Sequence, residues 1–230
     1  MKCPNCGASH LEVFNDSQYR CNYCQTEYAK IELDPPSSPS TPKPVDPDID
    51  FSHYANAIVN ILTERGNGTG FVIHERGWVL TNHHVIQDDI IVHGTVGDEP
   101  QAYELEVLAT GKAMGVDLAL LEILHPTAPF RAISPAQTPP KIGDMAATIG
   151  HPKNLGISLS KGYVSRQTDT ILQLDLTVNA GNSGGPVLNH HGECIGIISY
   201  KQSDVDGYGF AVPLKKIKMF LAEYRAKESL

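Results

Sequence analysis

The sequence lacks any long hydrophobic run and any leader typical of export. No stretch reaches the roughly 18 consecutive apolar residues that suggest a transmembrane helix. The opening Met-Lys-Cys-Pro-Asn-Cys has no apolar segment of the kind found in a secretory signal. Basic residues are also few, because 18 lysines and arginines face 26 acidic residues for a net charge of −8. We therefore expect a cytoplasmic protein that binds no membrane, and the acidic balance argues against a general nucleic-acid binder.

Cysteine is scarce except near the N-terminus, where four of the five cysteines lie within the first 24 residues. They form two Cys-x2-Cys pairs, with 14 residues between the pairs: Cys3, Cys6, Cys21 and Cys24. Two such thiolate pairs can occupy all four positions around a tetrahedral zinc ion. The residues between the pairs resemble a hairpin that would carry the second pair back to the first. Two disulfides are the alternative, but they would need an oxidising compartment. The pattern favours one structural Zn²⁺ per chain in a zinc ribbon.

The role of this ribbon is open between two interpretations. A site closed by four sulfur atoms has no position left for catalysis. Residues 1–33 contain three basic and four acidic side chains, so the ribbon has no basic patch for phosphate. It is therefore either a docking module for a protein partner or a purely structural cap.

Proline divides the chain into two unequal parts. Residues 34–48 contain six prolines and no aromatic residue, which is typical of an extended, semi-rigid spacer. We predict a zinc ribbon over 1–33, a Pro-rich linker over 34–50 and a single larger domain over 51–230. The small module is too short to fold on apolar burial alone, which is a second reason to expect a metal.

The larger domain is predicted to be all-β. Short apolar runs bounded by Gly, Pro, Asn and Asp indicate two sets of six strands, separated by a crossing segment over 124–141. The first set is expected near 56–62, 70–74, 77–81, 89–92, 102–108 and 117–123. The second is expected near 144–149, 157–165, 170–176, 186–189, 194–199 and 208–212. Two groups of six suggest two six-stranded antiparallel barrels. Only the C-terminus has a helical apolar face, formed by Leu214, Ile217, Phe220, Leu221 and Tyr224.

Three segments together supply the parts of a nucleophilic hydrolase. They are GWVLTNHHV at 77–85, GVDLALLEI at 115–123 and NAGNSGGPV at 179–187. Serine hydrolysis needs a hydroxyl, a base to take its proton and a carboxylate to orient the base. Each segment alone has an ordinary explanation, as a polar strand end, a strand start or a hairpin turn. Their combination points to a site in the cleft between the barrels.

The glycines of the third segment have a mechanical purpose. They allow backbone angles that other residues rarely adopt and leave room for the backbone of a substrate. A tight turn of this kind can direct the amides of Gly181 and Ser183 at one point. Two such donors stabilise the oxyanion that develops during acyl transfer.

These motifs resemble those of the trypsin-like serine proteases of the chymotrypsin fold, and most closely the HtrA (Deg) branch. The resemblance rests on GNGTGFVI (66–73), GWVLTNHHV, GVDLALLEI, IGHPKNLG (149–156), GYVS (162–165), GNSGGPV and GFAVP (209–213), in unbroken order. It implies that His84 is the general base, Asp117 its orienting carboxylate and Ser183 the nucleophile. It also implies an oxyanion hole made by the amides of Gly181 and Ser183.

The same resemblance selects His84 over its neighbour His83, since the family pattern is Thr-Asn-x-His-Val. It places the pocket for the residue before the cleaved bond near Thr177, Val178, Ser199, Tyr200 and Lys201. Thr177 stands where an acid would select basic side chains, so no preference for Arg or Lys is expected. The family often has a proline where this chain has Ala180, so the turn before Ser183 is less pre-set here. A following PDZ domain, common in the branch, is not expected.

The sequence therefore predicts a serine endopeptidase that acts on protein or peptide substrates and needs no catalytic cofactor. The alternative from another class is a protein-binding or regulatory module whose protease-like domain is latent or rarely competent. A weaker third hypothesis is a regulator linked to nucleic acid that cleaves itself or a partner.

Overall fold

The computed structural model describes seven stretches of the chain: 11–15, 18–29, 50–97, 100–126, 128–151, 156–199 and 208–228. The chain divides into two units, Met1–Pro47 and Asp48–Leu230. The division falls inside the predicted Pro-rich linker, whose residues up to 49 lie outside the described stretches.

The described part of the first unit is a small antiparallel sheet. Its strands are β1 (Leu11–Asn15), β2 (Gln18–Cys21) and β3 (Glu27–Ala29), in the order β1-β2-β3. Leu11 pairs with Cys21 across the first hairpin, so the predicted hairpin before the second cysteine pair is confirmed. Cys3 and Cys6 lie outside the described residues, and the four-cysteine zinc site remains a prediction.

The second unit begins with a closed antiparallel barrel of six strands. They are β4 (Ile58–Thr63), β5 (Gly66–His74), β6 (Trp78–Thr81), β7 (Ile91–Val96), β8 (Ala102–Thr110) and β9 (Ala119–Ile123). Their spatial order is β4-β5-β6-β9-β8-β7. The alternation expected in β8 is present, because Tyr103 and Leu105 are buried while Glu104 and Glu106 are exposed.

A second closed barrel repeats this architecture. It consists of β10 (Met145–Gly150), β11 (Ser158–Gln167), β12 (Leu172–Leu174), β13 (Pro186–Leu188), β14 (Cys194–Ile198) and β15 (Gly209–Pro213). The order β10-β11-β12-β15-β14-β13 matches that of the first barrel, strand for strand. All twelve predicted strands are therefore confirmed, and so are their two groups of six. The duplication is visible in topology although the sequence contains no evident internal repeat.

Helix α2 (Leu214–Glu228) closes the second unit and confirms the predicted C-terminal helix. Its predicted apolar face is buried at four positions and half-buried at Tyr224. One buried cluster draws on both barrels and this helix: Phe71, Leu80, Ile149, Ile197 and Phe220 are among its members. Apolar packing therefore holds the two barrels against each other.

Three short helical turns were not predicted from the sequence. They are a 3₁₀ helix at Phe51–Ala57, helix α1 (His83–Ile86) and a 3₁₀ helix at Lys112–Met114. Each is too short to produce a helical hydrophobic period, so the expectation that only the C-terminus is helical is wrong here. None of the helices in the described stretches is both long and apolar enough to cross a membrane.

Candidate active site

Two neighbouring strands of the first barrel bring His84 and Asp117 together. His84 lies in α1, three residues after the end of β6, and Asp117 lies two residues before β9. Since Thr81 pairs with Ala119 across these antiparallel strands, the end of β6 and the start of β9 are adjacent. Nδ1 of His84 is 2.6 Å from Oδ2 of Asp117, and the backbone N–H of His84 donates to Oδ1 at 3.0 Å. The carboxylate therefore holds both the ring and the main chain of the histidine.

Two further side chains hold Asp117 in place. The hydroxyl of Ser199, just after β14 in the second barrel, donates to Oδ2 at 3.1 Å. The side-chain amide of Asn82 donates to the carbonyl oxygen of Asp117 at 2.8 Å. Burial by itself raises the pKa of Asp117, but the hydrogen bonds from His84 and Ser199 and the charge of the imidazole outweigh it. The pKa falls to about 2, so the group is a carboxylate throughout the neutral range.

The two adjacent histidines differ in their hydrogen bonds. Among the described residues, the ring of His84 forms a hydrogen bond and an ion pair with Asp117, and no such contact joins His83 to Asp117. In the described part of the chain, Nδ1 of His83 is buried without a hydrogen-bond partner. His84 is therefore the member of the pair that is oriented as a base.

The turn that carries Ser183 is shaped by glycines and closed by its own hydrogen bonds. Gly181 and Gly184 have φ angles of +97° and +87°, a region that strongly favours glycine. Asn182 donates its N–H to the carbonyl of Asn179, and Gly185 donates to that of Asn182, both at 3.0 Å. Ser183 is only 8% exposed at the centre of this turn.

The turn is also bonded to β14. Gly184 donates its N–H to the carbonyl of Ile198, and Ile198 donates to the carbonyl of Gly185, both at 2.9 Å. Ile198 precedes Ser199, whose hydroxyl contacts Asp117. The turn of Ser183 and the His84–Asp117 pair are therefore connected through two consecutive residues of one strand end.

Two buried threonines of the first barrel connect it to this turn. Thr69 of β5 donates its N–H to the carbonyl of Ser183 at 2.8 Å and its hydroxyl to the carbonyl of Gly181 at 2.6 Å. Thr81 of β6 donates its hydroxyl to the carbonyl of Thr69 at 2.7 Å. A Cβ atom on Gly184 would overlap the Thr69 carbonyl and the Thr81 hydroxyl, so a side chain there is excluded. Sequence reasoning missed Thr69, Thr81 and Asn82, although all three lie within motifs that carried the resemblance.

The predicted substrate pocket is described only in part. Thr177 is exposed and Val178 is half-buried, with Cγ2 lying 2.7 Å from the position that a Cβ of Gly209 would take. Tyr200 and Lys201 lie outside the described residues. Ser199 donates its hydroxyl to Asp117, which favours a role in orienting the carboxylate, and its place in the pocket stays a prediction.

The fifth cysteine, Cys194, has no part in this arrangement. It is fully buried, its thiol donates to the carbonyl of Gly196 at 3.2 Å, and burial raises its pKa to about 12. It is therefore a neutral, unreactive thiol at ordinary pH. Across the described stretches, no three His, Cys, Asp or Glu side chains are grouped as metal ligands.

Known proteins share both the sequence and the fold of this chain. Residues 68–197 match the family model of the trypsin-like peptidase domain. The serine endoprotease DegS of Escherichia coli K12 is 34% identical over 175 residues, which are 68% of this chain and 47% of that protein. A probable periplasmic serine endoprotease, DegP-like, of Chlamydia trachomatis is 35% identical over 158 residues, which are 64% of this chain and 31% of that protein.

Solved structures of other proteins have a similar fold. A serine endoprotease from Yersinia pestis superposes with a TM-score of 0.66 at 29% identity, covering 76% of this chain and 64% of that one. An inactive form of a Mycobacterium tuberculosis H37Rv protein reaches a TM-score of 0.68 at 23% identity, covering 84% and 97%, and shows the fold alone. The resemblance inferred from the motifs is confirmed. The chain spans from about a third to about half of the curated relatives named above.

Proposed function

This chain belongs to the trypsin-like peptidase family, and on that premise we propose that it is a serine endopeptidase in which His84, Asp117 and Ser183 cleave peptide bonds. The observation that carries the proposal is the doubly bonded His84–Asp117 pair, connected through β14 to a glycine turn with Ser183 at its centre. The names of the relatives, all serine endoproteases, support the same chemistry.

The hydrogen bond to Asp117 sets the tautomer of His84. Because Nδ1 donates its proton to a carboxylate, the second ring nitrogen is the one available as a base. It takes the proton of the Ser183 hydroxyl as Oγ attacks the carbonyl carbon of the substrate. His84 then returns that proton to the departing amine, and the C–N bond breaks to leave an acyl-enzyme. Water, deprotonated by His84, hydrolyses the ester and restores the Ser183 hydroxyl.

The negative oxygen formed in both steps requires fixed donors. We assign this role to the N–H groups of Gly181 and Ser183, as the motif predicts. The shape of the turn supports the assignment, because Gly181 and Gly184 hold the positive φ angles that a tight turn around Ser183 requires. The substrate is a protein or peptide, and the uncharged Thr177 offers no counter-charge to a basic side chain.

The direct test is Ser183→Ala in the full chain. Cleavage of an unfolded protein substrate should fall by a factor of at least about 10⁴, and covalent labelling by a fluorophosphonate probe should disappear. Ser158→Ala, which changes an exposed serine at the start of β11, is the matched control and should retain both. Labelling of Ser183→Ala at the wild-type rate would show that another residue is the nucleophile.

A latent protease-like module remains the alternative function. In that case the larger domain would cleave peptide bonds only when a partner occupies the N-terminal module. Comparison of the fragment 50–230 with the full chain separates the two ideas. Full turnover by the fragment alone would contradict latency, whereas turnover only after addition of a partner would support it.

For the N-terminal module we propose a structural zinc ion held by Cys3, Cys6, Cys21 and Cys24. The fit is supported by the turn between the last two ligands. Gln25 donates its N–H to the carbonyl of Cys21 at 2.9 Å and has a φ of +59°, so the chain folds back immediately after Cys24. Such a turn places two cysteines three residues apart on one side of the backbone. Zinc there would stabilise the module and leave no position open for substrate.

Metal analysis tests this part of the proposal. We expect one zinc per chain, with a local folding contribution on the order of 10 kcal/mol. Cys24→Ser should release the metal, and Cys194→Ala, which changes the buried cysteine of the larger domain, should not. Two disulfides found by mass spectrometry in the purified protein would contradict the zinc site and also the proposed reducing, cytoplasmic location. A docked protein partner at this module stays a prediction beside the purely structural role.

A further inference from the structure

Thr69 occupies an unusual position between the two barrels. It belongs to β5 of the first barrel, is completely buried, and yet donates two hydrogen bonds to the nucleophile turn of the second barrel. Its backbone N–H holds the carbonyl of Ser183, and its side-chain hydroxyl holds the carbonyl of Gly181. One residue therefore fixes two peptide units of the turn, and only one of these two bonds depends on the side chain.

The direction of the hydroxyl bond follows from its other partner. The backbone N–H of His151, just after β10, donates to Thr69 Oγ1 at 3.0 Å. A hydroxyl that accepts from an N–H must direct its own proton elsewhere, and the carbonyl of Gly181 can only accept. The chain of bonds therefore runs from His151 through Thr69 to Gly181, with no ambiguity of donor and acceptor.

The hydroxyl acts on the peptide unit that lies between the two proposed oxyanion donors. That unit joins Gly181 to Asn182, and its N–H is already bonded to the carbonyl of Asn179. Thr69 holds the opposite end, so the plane of the unit cannot rotate without breaking two hydrogen bonds. The N–H groups of Gly181 and Ser183 belong to the peptide units on either side, and their direction depends on this plane.

The sequence gives a reason why the turn needs such support. Gly181 itself offers little resistance to rotation, since glycine populates both positive and negative φ readily. The preceding residue is Ala180, where a proline would have restricted the backbone. The local sequence therefore does little to restrict the backbone angles of the turn, and the restraint must come from another part of the fold.

We propose that Thr69 is a positioning residue of the peptidase site: its hydroxyl fixes the Gly181–Asn182 peptide so that the Gly181 and Ser183 amides converge on the oxyanion. This inference rests on the proposed function for its chemical meaning. Thr69 contacts neither the reacting hydroxyl nor the base in this proposal. Its effect is exerted through the backbone of the turn.

The test removes the hydroxyl while keeping the shape of the side chain. Thr69→Val should lower kcat by about ten- to a hundredfold, less than the ~10²–10³ typical of losing an oxyanion donor outright. KM should stay within about twofold, because no substrate contact is changed. Affinity for a peptide aldehyde, which needs the oxyanion donors, should fall in parallel with kcat. Thr69→Ser keeps the hydroxyl and should restore most of the activity.

Thr148→Val is the matched control. Thr148 is a buried strand threonine of the second barrel, and its hydroxyl has no hydrogen-bond partner among the described residues. Its loss should leave kcat unchanged. If Thr69→Val does not fold, Thr69→Cys takes its place, since a thiol fills similar space and donates only weakly. Wild-type kcat in the variant lacking the hydroxyl, or an equal loss in Thr69→Ser, would overturn the proposal.

A second measurement separates this inference from the proposed function. Hydrogen exchange of the Asn182 amide in the unliganded protein should become at least about tenfold faster in Thr69→Val, and should be unchanged in Thr69→Ser and Thr148→Val. If the wild-type protein cleaves no peptide, the proposed function fails while exchange still decides whether the hydroxyl holds the turn. Equal exchange in wild type and Thr69→Val would overturn the role of Thr69 even in an active enzyme.

Discussion

The two barrels share one strand order but contribute to the site in different ways. The first supplies side chains, His84 and Asp117, that adjacent strands bring within hydrogen-bond distance. The second supplies Ser183 on a turn of main chain, whose shape depends on glycines and on bonds from Thr69 in the other barrel, and the Ser199 hydroxyl that contacts Asp117. The difference teaches that a side-chain pair can be prepared within one barrel, whereas the nucleophile turn is completed only when both barrels pack together.

The largest effect is expected from the side-chain contribution. Asp117→Asn should reduce kcat by about 10⁴, because the amide no longer holds His84 in the tautomer that accepts a proton from Ser183. Steady-state kinetics measure this, with Asp169→Asn, an exposed residue bonded to Lys215, as the control. A loss below about tenfold would mean that the His84–Asp117 pair is not the catalytic one.

The next largest effect concerns the turn itself. Gly184→Ala should lower the free energy of unfolding by at least about 3 kcal/mol, because a Cβ would overlap Thr69 and Thr81 at a φ of +87°. Gly143→Ala has a similar φ of +89° but open space, so it should cost only about 1 kcal/mol. Denaturant titration measures both. Equal losses of unfolding free energy in the two variants would show that the backbone angle, and not the contact between barrels, excludes a side chain at Gly184.

A pH dependence of stability should follow from the pair in the first barrel. Because the folded pKa of Asp117 is lowered from 3.8 to about 2, its contribution of about 2 kcal/mol is complete above roughly pH 5. It is lost as the pH falls from about 4 to about 2. The difference in unfolding free energy between wild type and Asp117→Asn should therefore shrink over that range. A difference that stays constant with pH would contradict the lowered pKa.

The smallest effect on activity is expected at Ser199, a residue of the second barrel that bonds the carboxylate of Asp117. Ser199→Ala removes one hydrogen bond to Asp117 and should lower kcat by about three- to tenfold with little change in KM. Peptide kinetics at pH 7, with Ser158→Ala as the control, measure this split. A rise in KM at constant kcat would return Ser199 to the substrate pocket, where the sequence first placed it.

Much of the fold was predictable because strand patterns are local. Alternation as in Tyr103–Glu106 indicates which side of a strand faces the core, and Gly, Pro and Asn mark the ends of strands. The twelve strands and helix α2 were found on this basis. The three short helical turns were missed because a segment of three to seven residues has no readable period.

The candidate site was predictable only where residue type carries the chemistry. His84, Asp117 and Ser183 are side chains with few alternatives, and the resemblance to the family pattern Thr-Asn-x-His-Val selected His84 over His83. Thr69 and Thr81 were not identifiable in this way, since a threonine in a β-strand is ordinary. The partner of the Thr69 hydroxyl, the carbonyl of Gly181, lies 112 residues away in the sequence. The bond from Ser199 to Asp117 was missed for the same reason.

The amino-acid sequence by itself therefore determined the number of the strands and their division into two groups, the chemical groups available for hydrolysis and the glycines that permit the turn. The tertiary structure alone decided which carbonyl each buried hydroxyl contacts and how the turn of one barrel is supported by a strand of the other. The physical reason is that hydrophobic period and backbone preference act between near neighbours in sequence, whereas a directed hydrogen bond between buried groups depends on distances that only packing establishes.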